Sequence, residues 1–212
     1  MVFSSHLFLF YFLPFALATY YMMPRRGKNV ALTLLSYVFY GWANPLFMVL
    51  MFYSTVIDYF CGLTIARQWR KSCTDTVQNQ PQNGKRTKIQ TTALIVSICS
   101  NISLLAFFKY FNFAVENYDA IVAALGFEGI KLDLWFKITL PLGISFYTFQ
   151  SMSYSIDVYR GDAKAIRNFP DFACYVSMFP QLVAGPIIRF QGVAEQLFNR
   201  KHTTEKCARG IA

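Results

Sequence analysis

Residues 138–161 read I-T-L-P-L-G-I-S-F-Y-T-F-Q-S-M-S-Y-S-I-D-V-Y-R-G, and no Asp, Glu, Lys, Arg or His occurs among them before residue 157. About 19 uncharged residues, at about 1.5 Å per residue in a helix, roughly match a bilayer core of about 30 Å. Polar side chains are nonetheless spread through the stretch: Ser145, Thr148, Gln150, Ser151, Ser153 and Ser155. In hydrocarbon each of these groups must find a hydrogen-bond partner. We therefore expect a transmembrane helix that is packed inside the protein or lines a polar cavity, with Pro141 and Gly143 in its first turn.

Five motifs follow one another along the chain: M-V-F-S-S-H-L-F-L-F at 1–10, F-K-Y-F-N-F at 108–113, L-P-L-G-I-S-F-Y-T-F-Q at 140–150, S-Y-S-I-D-V-Y-R-G at 153–161 and F-P-Q-L-V-A-G-P-I at 179–187. Together they resemble the membrane-bound O-acyltransferase superfamily, and within it the branch of the alginate O-acetyltransferase membrane subunit. The resemblance implies an all-α fold: a polytopic integral membrane protein with about five transmembrane helices and one broken or re-entrant segment.

The family's catalytic histidine lies in a Trp- and Arg-rich segment that has no counterpart here. His6 and His202 are the two histidines of the chain, and neither has that context. The resemblance therefore implies that residues 1–212 are the N-terminal portion of a single transmembrane domain, without the C-terminal catalytic part. We expect this chain to be inactive alone. His6 itself is either a proton carrier or an interfacial histidine near the outer end of the first span.

The composition is that of a membrane protein: 55% of the residues are hydrophobic and only 15% are charged, against about 25% charged in soluble domains. The net charge is +9, but the basic residues lie between apolar runs, where the positive-inside rule places them. Nucleic acid is therefore not an expected partner. The five cysteines are far apart and show no metal-ligand spacing, so we expect no metal. The sequence also contains no nucleotide-binding loop, and we expect no bound cofactor. Three of them fall in apolar runs and are expected to be buried: Cys61, Cys99 and Cys174.

The apolar runs and the charges between them predict the topology. Residues 2–23 form an uncleaved first span, and the basic residues that follow place the N-terminus outside. Residues 30–66 are long enough for two crossings, with a break at Asn44 and Pro45. The loop at about 67–90 has six Lys or Arg against one Asp, which makes it cytoplasmic.

The second half of the chain continues this topology. Residues 91–113 lead outward, and the stretch 138–161 returns. Residues 171–188 re-enter the membrane, but Pro180, Gly185 and Pro186 interrupt them, so we expect a re-entrant segment. The basic residues 189–212 would then stay cytoplasmic.

Several polar residues are candidates for the wall of a substrate tunnel: Lys109, Asn112, Gln150, Ser153, Gln181 and Arg189. Each has a structural alternative, since lysines snorkel to headgroups and amides or hydroxyls join helices. Asp58 lies inside an apolar run, where a charge is costly. It is either protonated or paired inside the helix bundle, or it lies nearer an interface.

The resemblance implies an O-acetyltransferase of the bacterial inner membrane. Such a protein moves acetyl groups from a cytoplasmic donor, acetyl-CoA, toward hydroxyls of an exported polysaccharide, with alginate as the first candidate. Its expected partners are the lipid bilayer and extracytoplasmic acetyltransferase-type proteins. A transporter or channel is an alternative, because broken polar helices also build those. A non-catalytic scaffold fragment is a third.

Overall fold

The computed structural model describes residues 5–24, 27–43, 45–66, 86–125, 139–141, 143–184, 189–190 and 192–193, and every regular element within these ranges is a helix. A π-helical segment, Phe8–Phe12, leads directly into the first α-helix. The helices are α1 (Leu13–Met22), α2 (Lys28–Ala43), α3 (Pro45–Ile65), α4 (Lys88–Ala124), α5 (Ile144–Arg160), α6 (Phe169–Ser177) and α7 (Phe179–Ala184). The all-α prediction is thus confirmed for the described residues. Two of the helices, α3 and α4, are long and apolar enough to cross a membrane, and the count of about five spans stays a prediction.

The predicted break in the second apolar run lies between α2 and α3. Helix α2 ends at Ala43, and α3 begins with Pro45. Proline fits the first helical position because its missing N–H would be unpaired there anyway. The apolar run of residues 30–66 therefore folds as two helices.

Helix α4 is longer than the predicted span of residues 91–113. It begins at a capping box, in which the Thr87 backbone N–H donates to Gln90 Oε1 over 3.0 Å. Its 37 residues, at about 1.5 Å each, extend well beyond a bilayer core of about 30 Å. Cys99 on this helix is exposed, contrary to the prediction, whereas Cys61 and Cys174 are buried.

Helix α5 is the central helix that the sequence predicts, but it begins later than predicted. Gly143 is its N-cap, with a φ of 74° that favours glycine. Pro141 and Gly143 therefore precede the helix and do not form its first turn. The helix packs against α3, α4 and α6, and most of its polar side chains are buried. The burial agrees with the prediction of a helix packed inside the protein, whereas the predicted crossing of a membrane by α5 stays a prediction.

The segment that starts at residue 169 is broken, as predicted. Helix α6 ends at Ser177 and α7 begins at Phe179, one residue before Pro180. Side-chain contacts attach both halves to α2: Asn29 Nδ2 donates to Asp171 Oδ1 over 2.7 Å, and the Phe179 backbone N–H donates to Ser36 Oγ over 3.3 Å. Residues 185–188, with the predicted second interruption, lie outside the described residues.

An aromatic cluster joins the N-terminal segment to α2 and α7. Phe8 and Phe12 face Phe39 and Phe179, with ring centroids 5.5 to 6.1 Å apart. Ring pairs at such distances add to the stability that their buried area provides. Phe8 of the motif at residues 1–10 and Phe179 of the motif at 179–187 are therefore in contact in the fold.

Candidate functional site

Asp58 is the acceptor at the centre of a buried polar cluster between α3 and α4. Its side chain is fully buried. Ser97 Oγ donates to Asp58 Oδ1 over 2.7 Å, and Asn101 Nδ2 lies 2.8 and 2.9 Å from the two carboxyl oxygens. Of the two interpretations that the sequence left open, the structure supports pairing inside the helix bundle.

Further hydroxyl groups extend this cluster to α5 and along α3. The oxygens of Ser97 and Ser155 lie 2.9 Å apart, and Ser54 Oγ donates to Asn101 Oδ1 over 3.3 Å. Within the described part of the chain, every side chain that hydrogen-bonds to Asp58 is neutral. The arrangement can hold three helices in register, because interhelical hydrogen bonds stabilise helix packing in a membrane.

A second group of buried polar atoms differs from the Asp58 cluster, because its members lack hydrogen-bond partners among the described residues. The hydroxyls of Tyr40 and Tyr147 and the Nε2 atom of Gln181 are buried and have no hydrogen-bond partner among the described residues. They come from α2, α5 and α7, and the Tyr40 hydroxyl lies next to Gly143 at the N-terminus of α5. Buried polar groups without partners are uncommon in proteins and require an explanation.

The predicted tunnel residues lie on three helices and beyond the last of them. Gln150 on α5 is buried, and its Nε2 donates to the Tyr175 carbonyl oxygen over 2.9 Å, so this amide joins α5 to α6. Ser153, also on α5, is half-buried. Lys109 on α4 is exposed, and its Nζ lies 5.6 Å from the centre of the Tyr110 ring.

The other three candidates lie elsewhere. Asn112 is half-buried on α4, Gln181 is half-buried on α7, and Arg189 is exposed after α7. The structure does not gather the six candidates into one cluster, and their role in a tunnel stays a prediction. His6 is exposed and stacks on the Phe10 ring with centroids 6.2 Å apart, while His202 lies outside the described residues.

No group of three or more His, Cys, Asp or Glu side chains within the described ranges could hold a metal ion. Asp58 is recognisable in the sequence as a carboxyl inside an apolar run, whereas its partners were not predicted. Ser97 and Asn101 are four residues apart inside an apolar helix, and that spacing places two polar groups on one face. The spacing of Ser97 and Asn101 was therefore a sequence signal for a polar face on this helix. Tyr147 lies in the motif at 140–150, but nothing in the sequence indicated that its hydroxyl, or that of Tyr40, is buried without a partner.

Comparisons with known proteins show what the chain resembles. It is 41% identical over 210 residues to a protein of Pseudomonas aeruginosa named "Probable alginate O-acetylase AlgI", and 42% identical over 210 residues to one of the same name in Azotobacter vinelandii. Each match covers 99% of this chain and 37% or 38% of the relative. A "Peptidoglycan O-acetyltransferase" of Helicobacter pylori is 30% identical over 231 residues, which cover 95% of this chain and 40% of the relative.

No protein-family model and no solved structure matches the chain. The chain spans about two fifths of the length of the curated relatives that it matches. Over almost its entire length the chain is homologous to the alginate O-acetylases, and the resemblance predicted from its motifs is confirmed.

Proposed function

We propose that the complete gene product is a membrane O-acetyltransferase that moves acetyl groups from a cytoplasmic donor toward hydroxyls of an exported polysaccharide. One observation carries this proposal: identity of about 41% to proteins named alginate O-acetylase over 99% of the chain. The donor would be acetyl-CoA, and alginate is the first candidate for the acceptor. An extracytoplasmic acetyltransferase-type protein would be the partner that receives or transfers the acetyl group outside.

The surface of α3 and α4 supports a location in the membrane. Phe52 on α3 and Ile95, Ile102 and Phe113 on α4 are exposed apolar side chains. Exposed apolar surface on this scale is typical of contact with lipid or with other helices. We further propose a multi-pass protein of the bacterial inner membrane, with the N-terminus outside and the loop at about 67–90 in the cytoplasm, because that loop is basic.

In this proposal the chain contributes the walls of the substrate path. Gln and Ser side chains can donate and accept hydrogen bonds without a permanent charge, which suits Gln150, Ser153 and Gln181. Arg189 could bind a phosphate or a carboxylate bidentately, and Lys109 with Asn112 would lie at a polar entrance. The general base on the acceptor hydroxyl would be the family histidine, outside residues 1–212.

The test is deletion of the gene, followed by measurement of the acetate that mild alkali releases from the exported polysaccharide. Acetate should disappear and should return when the complete gene is supplied. A gene copy limited to residues 1–212 is the matched control and should not restore it. Unchanged acetate after deletion would refute transfer to that polymer.

Peptidoglycan is a second candidate acceptor, because the Helicobacter pylori relative is named for it. The same deletion strain separates the two candidates if acetate is measured on purified peptidoglycan and on exported polysaccharide in parallel. Loss of acetate from peptidoglycan alone would assign the gene product to the cell wall. Unchanged acetate on both polymers would reject both candidate acceptors.

A further inference from the structure

Two tyrosines from different helices bring buried phenol groups to the start of α5. Tyr40 on α2 is 5% exposed and Tyr147 on α5 is 1% exposed. Neither phenol oxygen has a hydrogen-bond partner among the residues that the structure describes. By contrast, the equally buried Tyr154 accepts a hydrogen bond from the Ile166 backbone N–H over 3.1 Å. The first two phenols therefore differ from an ordinary buried tyrosine of the same fold.

Gly143 allows the Tyr40 hydroxyl to approach the start of α5 closely. A Cβ atom on this glycine would lie 2.8 Å from the Tyr40 oxygen and 2.9 Å from the Leu182 carbonyl oxygen. One turn later, the Tyr147 backbone N–H donates to the Gly143 carbonyl oxygen over 3.1 Å. The unpartnered Tyr40 hydroxyl thus lies beside the N-terminus of a 17-residue helix, and Tyr147 belongs to the first turn of that helix.

The groups at the start of α5 favour a neutral acceptor whose oxygen carries partial negative charge. Each phenol can donate one hydrogen bond, and a helix N-terminus favours negative charge. The neighbouring side chains of Ile144 and Leu182 are apolar and almost fully buried. A phosphate is normally bound through Arg or Lys side chains, whereas neutral donors in an apolar setting suit a carbonyl oxygen that gains partial negative charge.

We propose that the hydroxyls of Tyr40 and Tyr147 donate hydrogen bonds to the carbonyl oxygen of the acetyl group on the donor thioester. This inference rests on the proposed function, because it names the residues that hold the donor in that reaction. It assigns these tyrosines to the binding of the acetyl group and leaves the rest of the donor to other parts of the protein.

The test uses two thioether analogues of acetyl-CoA that have chains of equal length. S-acetonyl-CoA carries a carbonyl group, and S-propyl-CoA has a methylene in its place. The complete wild-type protein in detergent should bind S-acetonyl-CoA about tenfold more tightly than S-propyl-CoA. Tyr40→Phe and Tyr147→Phe should each reduce this preference by about threefold, and the double variant should abolish it. Binding of S-propyl-CoA should not change.

Thermal unfolding distinguishes a ligand-binding role from a structural one. Tyr40→Phe and Tyr147→Phe remove no hydrogen bond among the described residues, so their Tm should stay equal to or above that of the wild type. Tyr154→Phe should lower the Tm, because it leaves the Ile166 N–H without an acceptor. Tyr53→Phe, at an exposed position on α3, should change neither Tm nor binding.

Two results would overturn the inference: a carbonyl preference that survives in the double variant, or a Tm that falls in the single variants as it does in Tyr154→Phe. Either could occur while the wild-type protein transfers acetate normally, and the proposed function would then stand. If the wild-type protein binds neither analogue and transfers no acetate, the proposed function itself fails and this inference fails with it.

Discussion

Replacing Asp58 by leucine tests whether the buried polar cluster holds α3, α4 and α5 together. The substitution removes three contacts of 2.7, 2.8 and 2.9 Å. Two of the affected groups keep another partner, since Ser97 lies 2.9 Å from the Ser155 oxygen and Asn101 Nδ2 lies 2.9 Å from the Ser97 carbonyl oxygen. One N–H of Asn101 is left without an acceptor, which costs about 1–3 kcal/mol. We therefore expect Asp58→Leu to lower the free energy of unfolding by this amount and not by three times as much.

The assay is unfolding of the complete protein in mixed micelles by titration with a denaturing detergent. Asp58→Asn keeps one acceptor oxygen and should lose less stability than Asp58→Leu. Because Asp58 and Asn101 are in contact, Asp58→Leu and Asn101→Ala should be non-additive by about 1 kcal/mol or more. Ser103→Ala, at an exposed position of α4, is the control and should have no effect. Wild-type stability of Asp58→Leu, or strict additivity with Asn101→Ala, would refute the reasoning.

Gly62→Ala should destabilise the protein by about 1–3 kcal/mol, measured as a lower Tm, because its Cβ would lie 2.6 Å from Tyr154 Cε1. An unchanged Tm would mean that α3 and α5 pack less closely than the structure shows. Gln90→Ala should cost about 1–2 kcal/mol in the same assay, since Gln90 caps α4 and its Nε2 also donates to the Ile65 carbonyl oxygen over 2.7 Å. Lys109→Ala should change stability by less than about 0.5 kcal/mol, because Lys109 is exposed. It should nonetheless lower the acetate content of the polysaccharide, and unchanged acetate would leave Lys109 with a role at the membrane surface alone.

The limits of α4 show what an apolar run does and does not predict. The predicted span ended at residue 113, where the composition changes from apolar to mixed, yet the helix continues to Ala124. No Gly or Pro occurs between residues 91 and 125, and the first glycine after them is Gly126. Apolar composition indicates which residues a membrane could cover, whereas glycine and proline indicate where a helix ends. The break at Pro45 was predictable because both signals coincide there.

The two polar groups were predictable to different degrees. Asp58 was recognisable from the sequence because a carboxyl in an apolar run requires an explanation. Its contacts with Ser97 and Ser155 were not, since residues 58, 97 and 155 meet only after three helices pack. Tyr40 lies in an apolar helix where a tyrosine is unremarkable, and only the folded structure reveals that its hydroxyl is buried without a partner.

The Asp58 cluster and the hydroxyls of Tyr40 and Tyr147 affect stability differently. This difference distinguishes residues that stabilise the fold from residues that bind substrate. The Asp58 cluster is internally satisfied, so the removal of one of its atoms leaves another atom unpaired and lowers stability. The hydroxyls of Tyr40 and Tyr147 are unsatisfied among the described residues, so their removal breaks no hydrogen bond within that part of the chain. A fold keeps such costly groups where they serve a purpose other than its own stability. A variant that loses activity but keeps its Tm therefore identifies a residue that contacts the substrate, whereas a variant that loses both identifies one that holds the helices.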